Sequence, residues 1–270
     1  MPQKIETYKR VNHDVSDNIS FINKDKYIRS EQIERNLINK EGGNSQKKVI
    51  NDDERRKIIN SSVYPFSTIV KLVMRFSGKK KFYGTGTIIS NYHLLTAAHN
   101  IYNHDLGGWA TEIGIYPARA GRILPFGYTK MTQTYIQESY IKNHSEDYDF
   151  GLIKFLRPYA NITGTSSIIS YKNPIDNFNI RIIGYPLDKK LGAFMFYSKD
   201  ITKYRKNLLY TADTYRGQSG SGIFQPTGSY LLLAGIHLGY NKKHKLNRGI
   251  SLNYNIINFI DLIINKKLET

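Results

Sequence analysis

The stretch Gly217-Gln218-Ser219-Gly220-Ser221-Gly222 decides the reading of this chain. A serine set among glycines reads as a nucleophile on a tight loop, because glycine adopts backbone conformations that side chains resist and keeps bulk away from the hydroxyl. Upstream lie Leu95-Thr96-Ala97-Ala98-His99, a histidine closing an apolar run, and Tyr148-Asp149-Phe150-Gly151-Leu152-Ile153, a lone aspartate opening another. A serine hydroxyl attacks poorly until an imidazole takes its proton, and the imidazole works best when a carboxylate fixes its tautomer and stabilises the imidazolium. Ser219, His99 and Asp149 therefore read as nucleophile, general base and orienting carboxylate. The backbone N–H groups of Gly217 and Ser219 read as donors to the oxyanion that such chemistry generates. Taken singly, the glycine–serine run is an ordinary loop, His99 a core histidine and Asp149 a turn cap. Their coincidence in one order, each beside an apolar run, carries the reading.

The order itself selects a fold. His, then Asp, then Ser is the order of the chymotrypsin-type double β-barrel, whereas α/β-hydrolases run Ser, Asp, His and subtilisins Asp, His, Ser. The expected architecture is all-β: two six-stranded antiparallel barrels, an N-terminal pro-segment and a C-terminal α-helix. Strands are expected around residues 66–74, 84–90, 93–96, 133–136, 151–155, 180–184, 208–212, 222–224 and 231–238 from short β-period runs bounded by turn residues. Ile256, Phe259, Ile260, Ile263 and Ile264 recur at helical spacing, which predicts an amphipathic helix over about 255–266 packed on the second barrel. Residues 1–48 are polar and end in Glu41-Gly42-Gly43-Asn44-Ser45-Gln46-Lys47-Lys48, which reads as a linker, with a short helix expected over 30–38. The domain proper is expected to cover 49–270.

The 270 residues, 40% of them hydrophobic, suffice for such a core. The longest apolar runs are far too short to span a bilayer. With no cysteine, disulfides and thiolate metal sites are excluded. The formal charge of +17 is spread along the chain. Its short clusters, Lys79-Lys80-Lys81 and Lys242-Lys243-His244-Lys245, fall in expected hairpin turns, so no nucleic-acid partner is expected. Met1-Pro2-Gln3-Lys4-Ile5-Glu6 has no apolar run behind it, so secretion is expected without a visible leader, with a cytoplasmic location as the alternative.

The segment Ala212-Asp213-Thr214-Tyr215-Arg216-Gly217-Gln218-Ser219-Gly220-Ser221, with Ile183-Gly184-Tyr185-Pro186, Gly235-Ile236-His237 and Asn247-Arg248-Gly249, resembles the glutamyl endopeptidases of Gram-positive bacteria, the group that includes V8-type proteases and exfoliative toxins. The resemblance covers about residues 49 to 265. It implies that Thr214 and His237 bind a glutamate side chain at P1, donating to a carboxylate that has left water. It also implies that a free α-amine, made by cleavage between Lys48 and Val49, completes that pocket. Such an amine, with a pKa near ~8, is mostly protonated at neutral pH. Trypsin-type activation differs, since there the new amine pairs with an aspartate just before the nucleophile, where this chain has the neutral Gln218. Arg216 and Gly222 depart from the commoner residues of the family, Gly222 in the manner of the exfoliative toxins.

The expectation is a monomeric, cofactor-free and metal-free zymogen of a serine endopeptidase with an acidic P1 preference. It acts on polypeptides whose backbone pairs with the strand around Leu238, Gly239 and Tyr240. The alternatives are a narrow, toxin-like specificity and a non-catalytic basic binding module on the same fold.

Overall fold

The computed structural model describes residues 53–265 apart from 79, 144, 172 and 174. The expected pro-segment over 1–48, the helix expected over 30–38, the Lys48–Val49 junction and Val49 itself lie outside the described residues. After a two-residue strand β1 (Arg56–Lys57), the chain enters the first barrel through β2 (Ile69–Arg75), β3 (Lys81–Ile88) and β4 (His93–Thr96). A small ribbon of β5 (Tyr102–Asn103) and β6 (Gly108–Trp109) precedes β7 (Glu112–Pro117), β8 (Thr129–Ile136) and β9 (Gly151–Phe155). The barrel closes in the order β2-β3-β4-β9-β8-β7. Strand β4 is buried at every position because it lies between β3 and β9, with Leu95 opposite Thr87 on one side and Leu152 on the other.

The second unit contains β10 (Ile175–Gly184), β11 (Phe196–Tyr204), β12 (Asn207–Tyr210), β13 (Gly222–Thr227), β14 (Tyr230–Asn241) and β15 (Leu246–Ser251). With β1 they form a seven-stranded sheet in the order β1-β11-β10-β13-β14-β15-β12. This unit curls like the first, but β11 and β12 share no backbone ladder. Side chains bridge them instead. The Thr202 hydroxyl donates to the Leu209 carbonyl at 2.9 Å, and Asp200 Oδ2 accepts from the N–H groups of Thr211 at 2.5 Å and Ala212 at 2.7 Å. The second barrel expected from the chain order is thus a half-barrel sheet, and the tight Lys242–Lys245 turn joins β14 to β15 as expected.

The C-terminal helix runs over Tyr254–Asn265, with Asn253 Oδ1 accepting from the Ile256 N–H at 3.2 Å to cap its first turn. Ile256, Ile257, Phe259, Ile260 and Ile263 are its buried face. That face belongs to one buried cluster with residues of both units, among them Leu152, Phe224 and Ile236, so the helix packs at the seam and not on the second barrel alone. Phe259 sits edge-on to Phe150, centroids 5.3 Å apart, an arrangement worth about 0.5–1.5 kcal/mol beyond area burial. Phe150 follows Asp149 in the chain, so this contact helps to fix where the carboxylate stands.

Candidate active site

His99 lies in the single 3-10 turn Ala98–Asn100 that follows β4, and Asp149 is the residue between another such turn, Glu146–Tyr148, and Phe150. The first barrel brings them together because β4 and β9 are neighbours. Asp149 is only 5% exposed, and it faces His99 twice: Oδ2 lies 2.7 Å from the ring Nδ1, and Oδ1 accepts from the His99 backbone N–H at 3.0 Å. The shorter contact has the length of a charge-assisted hydrogen bond and the longer that of an ordinary N–H···O bond. Burial by itself would lower the pKa of His99, but the charge and hydrogen bond of Asp149 outweigh it and raise the pKa above its ordinary value, while Arg248 pulls weakly the other way. With Nδ1 committed to Asp149, Nε2 is the nitrogen left to exchange a proton.

The glycine–serine loop reaches His99 from the second unit, and the first barrel holds it by its carbonyls. Thr85 donates its N–H to the Ser219 carbonyl at 2.9 Å and its hydroxyl to the Gly217 carbonyl at 2.9 Å. Asn100, the residue after His99, donates from its side-chain amide to the same Ser219 carbonyl at 2.8 Å. These bonds register the Ser219 backbone against the His99 turn across the seam. Within the loop the N–H groups of Gln218, Gly220 and Ser221 donate to the carbonyls of Tyr215, His237 and Gln218. Those of Gly217 and Ser219, on either side of Gln218, donate to no acceptor among the described residues. Only glycine serves at two positions. Gly217 has φ +93 with a Cβ position 2.6 Å from the Tyr185 carbonyl, and Gly220 has φ +84 with one 2.2 Å from the Thr85 carbonyl.

Thr214 and His237 are both buried close to this loop. The Thr214 hydroxyl has no hydrogen-bond partner among the described residues. His237, 2% exposed, lies with Nδ1 2.7 Å from the Tyr210 hydroxyl. Burial, reinforced by the charge of His99, lowers its pKa to about 3, so His237 is a neutral imidazole at working pH and offers an N–H dipole without a charge. Beyond it, β14 changes character. Strand β13 pairs with β14 only as far as Ile236, and the β14–β15 register slips at Leu238, so Gly239 and Tyr240 pair with Arg248 and Asn247 on one side and, among the described residues, with no strand on the other. Tyr240 is 51% exposed, and the space where a Cβ of Gly239 would stand is empty.

The roles of four participants were not legible in the motifs. Asn100 and Thr85 carry no motif signal of their own, Tyr210 is separated from His237 by 27 positions, and the stretch Asn247-Arg248-Gly249 gives no sign of the ion pair of Arg248 with Glu146 beside the Asp149 turn. Only the fold brings them to the site. Among the described residues no group of three or more His, Cys, Asp or Glu is arranged to hold a metal, and no helix is long and apolar enough to cross a membrane.

No protein-family model matches the chain. Over 186 residues, 68% of this chain, it is 31% identical to a glutamyl endopeptidase of Bacillus licheniformis. It spans 57%, just over half, of that relative's length. It is 27% identical to exfoliative toxin A of Staphylococcus aureus over 222 residues, covering 76% of this chain and 72% of the toxin. A solved structure of a Glu endopeptidase in complex with MPD matches with a TM-score of 0.72 at 27% identity, covering 81% of this chain and 100% of the other.

Proposed function

We propose that this chain, which belongs to the V8-type family of glutamyl endopeptidases, is a serine endopeptidase that hydrolyses peptide bonds through an acyl-enzyme. The observation that carries the reading is the 2.7 Å His99–Asp149 bond beside a serine loop with two undonated amides. Ser219 Oγ attacks the substrate carbonyl as His99 Nε2 takes its proton, and Asp149 stabilises the imidazolium. The carbonyl oxygen, now negative, accepts from the N–H groups of Gly217 and Ser219. Collapse of this intermediate expels the amine, protonated by His99, and a water deacylates the serine by the same steps in reverse.

The acidic P1 preference rests on Thr214 and His237. Tyr210 has its pKa raised by burial and by Asp200, so it keeps its proton and can donate to His237 Nδ1, leaving Nε2–H as the donor to a P1 carboxylate. Because His237 is neutral, the balancing charge comes from elsewhere, and the Val49 α-amine released by cleavage after Lys48 is the proposed source. Glu54, five positions on, donates its N–H to Asp213 at 2.9 Å, next to Thr214. An extended stretch of that length reaches up to roughly 17 Å, enough to bring the amine back to the pocket. The protein is then a secreted zymogen, residues 1–48 being its pro-segment, and its substrate lies along Leu238–Tyr240. Exposed Arg216 and buried Gly222 favour a narrow, toxin-like sequence preference as the second reading.

Hydrolysis of paired peptides with Glu or Gln at P1 tests the pocket. The expectation is a Glu preference on the order of 10² or more, reduced in His237→Leu, because a site built from polar donors rejects the analogue that cannot satisfy them. A wild-type preference for Lys or Phe, or an unchanged Glu-to-Gln ratio in His237→Leu, contradicts it.

A further inference from the structure

The Arg55 guanidinium has no exposed surface, yet it lies in the N-terminal segment, far in sequence from His99, Asp149 and the serine loop. It holds Asp53 from Nε at 2.9 Å and from Nη2 at 3.0 Å. It also grips Asp188 in a two-pronged pair, Nη1 to Oδ1 at 2.9 Å and Nη2 to Oδ2 at 2.5 Å, across 133 positions of sequence. Lys189 closes the cluster on Asp53 at 2.6 Å, so two cations and two carboxylates balance. Burying this much charge for stability alone is a poor bargain by comparison with apolar packing, which points to a geometric role.

Asp188 leads directly to the loop that bears Ser219. The neighbouring Leu187 donates its N–H to the Arg216 carbonyl at 2.8 Å, and its side chain fills the space where Gly217 would carry a Cβ. The far end of the same 187–192 segment is held by Lys71, whose ammonium donates to the carbonyls of Leu191 and Gly192, each at 2.8 Å. That anchoring is needed, because Lys190, Leu191 and Gly192 all have positive φ. Arg55 touches the serine loop a second time, its guanidinium 5.9 Å from the ring centroid of Tyr215. Gln218, in the position before the nucleophile, folds back to accept from the Tyr215 N–H at 2.9 Å, so the loop receives no ion pair from within.

We infer that Arg55 is a positioning residue for the oxyanion loop: through Asp188 and Leu187 it fixes the amides of Gly217 and Ser219, making docking of the 53–57 segment a condition of catalytic competence. The inference rests on the endopeptidase reading above. It assigns ordering of the oxyanion loop to a side chain of the docked segment, separately from the Val49 amine, whose proposed task is P1 charge.

The test compares two probes on the full chain, before and after cleavage at Lys48–Val49. A peptidyl aldehyde places an oxygen in the oxyanion hole once Ser219 adds to it, whereas the corresponding product peptide does not need the hole. In Arg55→Met and Asp188→Asn, aldehyde affinity should fall by about tenfold or more while product-peptide affinity changes by less than about threefold, as expected of a misplaced donor. The double variant should be no worse than the poorer single one, and Arg55→Lys, which keeps the charge, should recover part of the loss. Unchanged aldehyde affinity in folded Asp188→Asn would overturn the inference. So would parallel loss of both affinities, since that marks a merely structural pair. Wild-type protein that binds no aldehyde and takes no serine-directed label would overturn the endopeptidase reading itself, and the inference with it.

Discussion

The two halves of the molecule solve closure differently. The first barrel is joined strand to strand all the way round by backbone ladders, while the second leaves β11 and β12 without one and relies on Asp200 and Thr202 to bridge them. The difference follows the division of labour. His99 and Asp149, whose mutual geometry must hold within a fraction of an ångström, both stand on the closed barrel. The second unit carries the serine loop, Thr214, His237 and the one-sided end of β14, to which the proposed function assigns the nucleophile, the P1 pocket and the substrate-pairing strand. On that proposal the closed barrel holds the proton-transfer pair and the second unit the recognition surface, and the bonds from Thr85 and Asn100 to the loop carbonyls join the two.

The largest expected effect tests that division at the catalytic centre. Ser219→Ala, His99→Ala and Asp149→Ala should each lower kcat by roughly 10⁴-fold or more, leaving the residual catalysis that binding and oxyanion donors provide. Steady-state turnover of a Glu-containing peptide measures it, and wild-type-like rates in any one variant would break the assignment.

A smaller effect concerns proton affinity within the closed barrel. His99 acts as a base only when neutral, and Asp149 raises its pKa, so kcat/KM should climb with pH through a limb above the ordinary histidine value of ~6.5. In Asp149→Asn burial and Arg248 remain and both favour neutral His99, so the limb should move to lower pH while the plateau falls. The stability linkage has a fixed sign: the stabilisation from this pair is fully present below the unfolded histidine pKa and is lost as pH rises through the raised one. Thermal unfolding as a function of pH should show that loss in wild type and not in Asp149→Asn.

The smallest expected effect compares the closures directly. Asp200→Ala removes the acceptor for the N–H groups of Thr211 and Ala212 and should cost about 1–3 kcal/mol in denaturant unfolding. Glu112→Ala on the closed barrel removes only a solvent-screened pair with Lys130 and Arg75 and should change stability by less than about 0.5 kcal/mol. Equal costs would remove the distinction between the two halves.

What the sequence revealed cuts across the two halves. His93–Thr96 and Gly151–Phe155 in the first barrel, like Ile180–Gly184 and Leu231–Leu238 in the second unit, carry short apolar cores bounded by turn signals, so these strands were legible, as were the His99 and Asp149 beside the first two. Strand β7 was not, because Gly114 and Pro117 break its pattern into something turn-like. Strand β11 was hidden by inverted polarity: Ser198 and Thr202 face inward and are buried, while Ile201 faces out. The Arg55–Asp188 pair left no trace in any local motif, since only tertiary structure joins residues 133 positions apart.

The central claim, that Ser219 is a nucleophile activated by the His99–Asp149 pair, is tested most directly by reaction with a peptidyl phosphonate ester followed by mass mapping of the adduct. The account predicts one adduct per chain in the processed protein, on Ser219, absent in Ser219→Ala and strongly slowed in His99→Ala. No adduct, or one on another residue that persists in Ser219→Ala, would contradict it.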